Sequence, residues 1–391
     1  MAWRETEPVT ERLAFIAELK NGDECVSALC DRFGVSRKTG YKWLRRFESE
    51  GIDGLKDRPR KALSHPNKTN QEVVELVLRL KQRKPRWGPK KIRQLLKLET
   101  GREDVPSAST VGEILKRNGL VVSRPKRRKA VRLDSELREP NAPNDCWSAD
   151  FKGEFLVRGN AYCYPLTIMD MTSRYLLRCQ GLLTIDFKST KSVFEEIFRE
   201  FGLPNAIRTD NGMPFGGNRG LSISKLSLWW LRLGIRHERI QPGVPQQNGR
   251  HERMHLTLKK DACDTLRELS IQQDVFDMFR SEYNNERPHE ALQMATPREI
   301  FRPSGRVMPK HLPPLTYPAN FETRIVGGNG RFSFEGQTYF ISKVLSGECI
   351  GLDPMDNHRI QIWTGGLLLG VLNLEDGWFE PNVDNLGPNG E

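Results

Sequence analysis

The sequence has no CxxC pair, no run of about 20 apolar residues and no excess of acid. Its seven cysteines, at 25, 30, 146, 163, 179, 263 and 349, are odd in number and scattered. That argues against a disulfide framework and against a structural zinc finger, so they read as reduced core thiols. The lack of a long apolar window argues against a membrane-spanning helix. The opening MAWRETEPVTERL carries acids early and no apolar stretch followed by small residues, so it does not read as a secretory leader. A cytoplasmic location is expected.

What is present is length and unevenly placed positive charge. At 391 residues the chain has room for two to four domains, each with its own core. The formal charge of +11 comes from the first third: residues 1–140 hold 33 Lys+Arg against 20 Asp+Glu, and the remainder 28 against 30. A basic arm on a neutral body suits phosphate binding, because each Lys or Arg set against a nucleic acid releases condensed counterions.

Residues 9–50 read as three short helices, the last two (26–33 and 36–48) joined by Gly34-Val35. This is helix-turn-helix punctuation, with Ser36 placed to cap the second helix. Arg37, Lys38, Tyr41, Lys42, Arg45 and Arg46 are its polar positions and candidate DNA contacts, while Trp43, Leu44 and Phe47 can face a core. A plain three-helix bundle with a basic face is the competing reading. A second helical set follows at 70–84, 88–99 and 107–118, where Lys90 and Lys91 are candidate contacts. The run Arg124-Pro-Lys126-Arg127-Arg128-Lys129 shows no apolar period and reads as a linker able to follow a phosphate backbone.

From residue 144 the texture becomes apolar and β-branched. Strands are expected around Asp150 and at 162–171, 175–182, 206–209 and 235–240, and helices at 190–201, 221–233, after Gly249 and at 271–284, which together make a mixed α/β sheet of five strands. Prolines at 303, 309, 313, 314 and 318 mark a linker, and Gly-punctuated runs at 331–334, 338–341 and 360–363 suggest a small β-barrel. The expected domains are therefore 1–60 and 66–122 (two helical DNA-binding domains), 123–143 (basic linker), 144–301 (catalytic core), 302–319 (Pro-rich linker), 320–378 (barrel) and 379–391 (tail).

Asp150 lies in Trp147-Ser-Ala-Asp150 on the first strand of the core, and Asp210 ends the strand Ile207-Arg-Thr-Asp210 just before Asn211-Gly212. Adjacent strands lie about 4.8 Å apart, so two such acids can share hard cations that prefer oxygen ligands. A third acid, Glu252, follows Pro245-Gln-Gln-Asn248-Gly249 and should sit on the first turn of the next helix. There Met254, Leu256 and Leu258 can pack, leaving Lys259 and Lys260 to DNA; Asn248 is a further candidate contact. Taken singly, Asp150 could be a surface strand carboxylate, Asp210 an Asx turn and Glu252 a helix-start acid favoured by the dipole.

These motifs resemble the retroviral-integrase superfamily of transposases encoded by bacterial insertion sequences, the DDE recombinases. The resemblance covers most of the chain. It rests on Trp147-Ser-Ala-Asp150, Thr209-Asp-Asn-Gly212, Pro245-Gln-Gln-Asn-Gly-Arg-His-Glu252 with Thr257-Leu-Lys259, and Tyr283-Asn-Asn-Glu-Arg-Pro-His-Glu-Ala-Leu292 with Thr296-Pro297. The resemblance implies an RNase H-like core, two Mg²⁺ (or Mn²⁺) ions per active site held by Asp150, Asp210 and Glu252, and direct attack on a phosphodiester. The ends of a mobile element would be cleaved and their 3′-hydroxyls joined to target DNA. Double-stranded DNA is the implied partner, a homo-oligomer is expected because two ends must be joined, and the bacterial nucleoid is the implied place. Two departures stand out. Forty-one residues separate Asp210 from Glu252, where about 35 is usual, so an enlarged loop at 215–224 is expected; and no His-His-Cys-Cys zinc module precedes the core.

Two rivals remain. His251-Glu-Arg-Met-His255 fits HExxH, a zinc-peptidase pattern, which still lacks a third ligand, Glu268 and Glu282 being unsupported candidates. A catalytically inactive repressor derived from a transposase would keep the DNA-binding units alone. Asp170 reads as structural despite its place in Ile168-Met-Asp-Met-Thr-Ser-Arg174, and His289 as a residue that fixes a helix-end turn.

Overall fold

The computed structural model describes residues 7–22, 24–58, 69–121, 137–217, 221, 223–241, 243–263 and 267–382. The chain separates into two compact units, 1–71 and 72–391.

In the first unit, helices α1 (Pro8–Asn21), α2 (Val26–Arg32) and α3 (Arg37–Glu50) close over Phe15, Ile16, Leu29, Cys30, Trp43 and Leu55. Ser36 caps α3 by accepting from the Thr39 amide, as its position before the basic helix suggests. Gly40 is the close-approach residue: a Cβ there would lie 2.5 Å from Cys30 Sγ and 3.0 Å from Phe15 Cζ. Tyr41, Lys42 and Arg45 stay exposed beside buried Trp43, over whose ring Lys42 and Arg46 lie at 4.6 and 5.1 Å.

The second unit opens with α4 (Gln71–Arg83), α5 (Pro89–Thr100) and α6 (Ala108–Arg117), which bury Val77, Leu80, Trp87, Ile92, Leu96 and Val111 among themselves. Strands β1 (Cys146–Phe151), β2 (Phe155–Val157), β3 (Ala161–Asp170) and β4 (Leu176–Leu182) follow, then α7 (Phe187–Phe201), β5 (Ala206–Thr209), α8 (Lys225–Arg232), β6 (Arg236–Arg239), α9 (Gly249–Ala262), α10 (Leu269–Asn285) and α11 (Pro297–Ile300). The expected helix at 221–233 is shorter, because Ser224 caps it at its start and it ends at Arg232.

The six strands run β2-β3-β1-β5-β6 with β4 also on β3, antiparallel where hairpins join them and parallel across β1-β5-β6. The register puts β2 in line with β1 along β3, so five strand positions result. Period-2 alternation on β1 divides the core. Trp147 and Ala149 pack against α7 and α8, whereas Ser148 and Asp150 alternate to the opposite side, where the β1 partner is α9. Asp170 is buried and accepts from the Asn144 amide and from the Ser173 amide and hydroxyl, so it secures the β3–β4 turn.

Residues 302–306, expected to open a linker, are pinned to the core instead. Arg306 donates to the carbonyls of Pro204, Leu233 and Gly234. Beyond them β7 (Glu322–Ile325), β8 (Arg331–Phe334), β9 (Gln337–Phe340), β10 (Cys349–Pro354), β11 (Arg359–Thr364), β12 (Leu367–Asn373) and β13 (Phe379–Pro381) make an open five-stranded antiparallel sheet and a separate β8–β9 hairpin. The expected barrel is not closed: among the described residues β13 and β7 are the two edges of the sheet. The inner face is nevertheless apolar, and Leu221, Ile223 and Leu228 of the core complete it.

Candidate active site

The parallel register of β1 and β5 pairs Ser148 with Arg208. Two residues further along, Asp150 comes level with Asp210 at the same end of the sheet. Glu252 is exposed on the first turn of α9. Burial first, then repulsion by Asp210, with a smaller contribution from Glu252, raises the Asp150 carboxyl to about 7. The Gly212 amide donates to Asp210 Oδ1 at 3.1 Å, so Asp210 also makes the Asx turn its sequence suggests.

Two elements aim these acids. Arg208, 3% exposed, donates through Nε and Nη2 to Glu238 Oε2 on β6 and through Nη1 to the Gln247 carbonyl, tying β5 to the loop that enters α9. Removing one member of so buried a pair typically costs about 3–5 kcal/mol, because the other charge is stranded. On the α9 side of the sheet, His251 meets Ser148 Oγ through Nδ1 and Thr167 Oγ1 through Nε2, both at 2.6 Å. His255 Nε2 meets the same Thr167 hydroxyl at 2.6 Å, and its Nδ1 lies 3.7 Å from Asp150 Oδ2. Burial holds both imidazoles neutral, His251 at about 3 and His255 at about 2.

One atom each of Asp150, His251 and His255 lies within 4.8 Å of the others, the only such grouping of three potential ligands among the described residues. It does not favour the zinc-peptidase reading. Both ring nitrogens of His251 already face hydroxyl groups, so ligation would strand one of them. The carboxylate oxygens of Asp150, Asp210 and Glu252 are the kind of donor a hard divalent cation prefers, and the repulsion felt by Asp150 is what such a cation would relieve.

The expected DNA contacts have different surroundings. Arg37, Lys38, Tyr41, Lys42, Arg45, Lys259 and Lys260 are exposed. Lys90 is exposed but bound to Glu290 at 2.6 Å. Lys91 and Arg46 are partly buried. Asn248 is 3% exposed with its Oδ1 buried, so it offers no open side chain to DNA. Arg124, Lys126, Arg127 and Arg128 lie outside the described residues. On α9 Met254 and Leu258 are buried as expected, but Leu256 is exposed. The sequence reading overlooked Thr167 and Arg208. Thr167 could have been found from the Ser148-x-Asp150 alternation, which demands polar partners on the neighbouring strand; Arg208 in an apolar strand is itself a signal of a buried pair.

Two models described as integrase core domain match residues 140–245 and 233–297. Over residues 140–297 the chain is therefore similar to an integrase core domain. A helix-turn-helix domain model matches residues 11–62 and a homeodomain-like model residues 39–115, in front of that core. An insertion element IS407 uncharacterized 31.7 kDa protein of Burkholderia multivorans is 26% identical over 60% of this chain and 82% of its own length. An insertion element IS476 uncharacterized 39.2 kDa protein of Xanthomonas euvesicatoria is 27% identical over 66% and 68%. Among solved structures, the HTLV-2 integrase catalytic core domain in complex with magnesium has 17% identity and a TM-score of 0.31, covering 41% of this chain and 98% of that one. The resemblance to insertion-sequence transposases of the integrase superfamily therefore holds, and no helix among the described residues is long and apolar enough to cross a membrane.

Proposed function

We propose that this integrase-core protein is a DDE transposase: it binds the ends of a mobile DNA element, hydrolyses a phosphodiester there, and joins the 3′-hydroxyl to target DNA. The observation that supports the reading is the charge around Asp150 on β1: Asp210, just past the end of β5, and Glu252, on the first turn of α9, both raise its carboxyl.

Asp150, Asp210 and Glu252 would hold two divalent cations, Mg²⁺ or Mn²⁺. Bound there, such ions supply Lewis acidity to the phosphate and charge neutralisation. The chain's own residues prepare the site. Burial and like charge keep the Asp150 carboxyl poised near neutrality, Thr167 and His255 fix its surroundings, and Arg208 anchors the loop from which Glu252 rises. The exposed basic face of α3 would hold DNA by charge and read it through Arg37, Lys38, Tyr41 and Lys42. Joining two ends calls for more than one copy of the chain.

The test is incubation of the protein with Mg²⁺, a library of element-end duplexes and a target plasmid, followed by sequencing of all new junctions. Strand-transfer junctions at element ends support the reading. Tight end binding without nicks or junctions would identify a repressor.

A further inference from the structure

The Tyr283–Leu292 motif has no part in the acid site, yet it gathers unpaired positive charge beside it. Arg287 lies 5.9 Å from the Tyr283 ring centre, with Nη2 3.5 Å from Thr257 Oγ1 on α9. The His289 ring sits 4.9 Å from the Tyr283 ring. Arg253 follows Glu252 on α9, and Arg174 stands in the β3–β4 turn at φ 63°. From the helical layer in front, Lys91 reaches the same place.

The acids around this cluster are already engaged. Lys84 bonds Glu282 and Glu286 at 3.0 and 2.8 Å, Lys90 bonds Glu290, and Arg86 bonds Asp261. No described carboxylate forms an ion pair with Lys91, Arg174, Arg253 or Arg287. Two polar atoms of these residues, Arg174 Nη1 and His289 Nε2, are buried with no hydrogen-bond partner among the described residues. Burial, and then repulsion by Arg287 and Arg253, drives Lys91 down to about 7 despite nearby Glu290. His289 is lowered to about 3 by burial and by Lys91, Arg287 and Arg174. A folded protein keeps converging cations and an idle guanidinium donor at a cost in stability, and an anion with several acceptor oxygens removes both penalties. Guanidinium groups match the paired oxygens of a phosphodiester.

We propose that Lys91, Arg174, Arg253, Arg287 and His289, built around Tyr283, form an oxyanion pocket that grips one backbone phosphate of the DNA strand entering the acid site. The inference rests on the transposase reading and deepens it. One residue after Glu252, Arg253 would fix the strand's position relative to the three carboxylates, and Lys91 would make the second helical set part of that grip. Inorganic phosphate has the same chemistry, so the test separates the two.

The full chain, without divalent metal, is exposed to an amine-acetylating reagent at pH 8, and Lys91 modification is followed by mass spectrometry alone, with a 30-bp duplex, and with inorganic phosphate at the same phosphate concentration. The duplex is expected to shield Lys91 and inorganic phosphate is not. The second readout is a pair of measurements on Lys91→Gln. Its duplex affinity should show a log–log salt slope shallower by about 1, yet its melting temperature should equal or exceed that of the wild type, since a repelled, half-buried cation has been removed. A residue with a purely structural role would lower the melting temperature and leave the slope alone. Unshielded Lys91, or a Lys91→Gln slope equal to the wild type's, overturns the pocket while element-end junctions still form and the transposase reading stands. Shielding by phosphate alone overturns the DNA assignment. A wild-type chain that binds no duplex overturns both.

Discussion

Thr167 stands directly opposite Asp150 in the β1–β3 register, and its hydroxyl lies 3.1 Å from the Asp150 carbonyl as well as 2.6 Å from Nε2 of both His251 and His255. One arrangement of hydrogens satisfies all three contacts: the hydroxyl donates to the carbonyl and both imidazoles donate to the hydroxyl. That leaves His251 Nδ1 to accept from Ser148 and His255 Nδ1 to face the Asp150 carboxyl. The opposite face of the sheet carries the aromatic core, so a single threonine links the backbone of the acid strand to the helix that bears Glu252.

Thr167→Val keeps the shape and removes that link. Two buried N–H groups would lose their acceptor, at about 1–3 kcal/mol each. Urea unfolding should show a loss of about 2–6 kcal/mol, and strand cleavage should fall with it, while Thr167→Ser recovers most of both. Full stability in the valine variant would show that the hydroxyl does not organise the site.

The Asp150 carboxyl, raised to about 7, sits above its unfolded value of 3.8. Its contribution to stability is therefore present below 3.8 and is lost as pH rises through 7 in the metal-free protein. A cation needs the carboxylate, so Mg²⁺ affinity measured by calorimetry should climb up to about tenfold per pH unit below 7 and level off above it. His251 and His255 act oppositely, for their lowered values give stability that is present above 6.5 and lost as pH falls towards 3. Mg²⁺ affinity independent of pH from 5.5 to 8.5 would remove Asp150 from the binding site.

Gly40→Ala tests the first unit. Alanine favours a helix by up to about 1 kcal/mol, but its Cβ would meet Cys30 Sγ at 2.5 Å and Phe15 Cζ at 3.0 Å. Overpacking should win, with a net loss of about 1–3 kcal/mol in urea unfolding of the full chain, and Cys30→Ala in the same chain should restore it. A Gly40→Ala protein as stable as the wild type would mean that the α2–α3 approach can relax freely.

Truncation after Arg306 tests the role of the open sheet. Leu221, Ile223 and Leu228 belong to its apolar face, and the loop carrying the first two begins just after Asp210. The shortened chain should melt lower, bind a hydrophobic dye and cleave poorly. Unchanged melting and cleavage would show that the C-terminal sheet supports neither fold nor site.

Much of this was legible in the sequence because local periodicity and punctuation dictate it. The six N-terminal helices, the β5 strand at Ala206–Thr209 and the first-turn position of Glu252 follow from caps, glycine breaks and alternation. What escaped depends on partners distant in the chain. Whether seven short strands close into a barrel is decided by pairing between the outermost strands, and none joins β13 to β7 among the described residues. The burial of Asn248 and the attachment of Arg306 to the Pro204 and Leu233 carbonyls are likewise tertiary. His251 and His255 showed a metal-binding spacing on the helix, but the hydroxyls of Ser148 and Thr167 that occupy them come from two strands about 100 and 85 residues earlier.

The most direct measurement is Mg²⁺-dependent cleavage of element-end DNA by Asp150→Asn, Asp210→Asn and Glu252→Gln, with duplex affinity measured on the same preparations. Each substitution should lower cleavage by at least about 1000-fold, the equivalent of several kcal/mol of lost charge stabilisation, and leave the dissociation constant within about twofold, because the basic residues that hold DNA are untouched. Cleavage retained at the wild-type rate in any one of the three would contradict the proposed acid site.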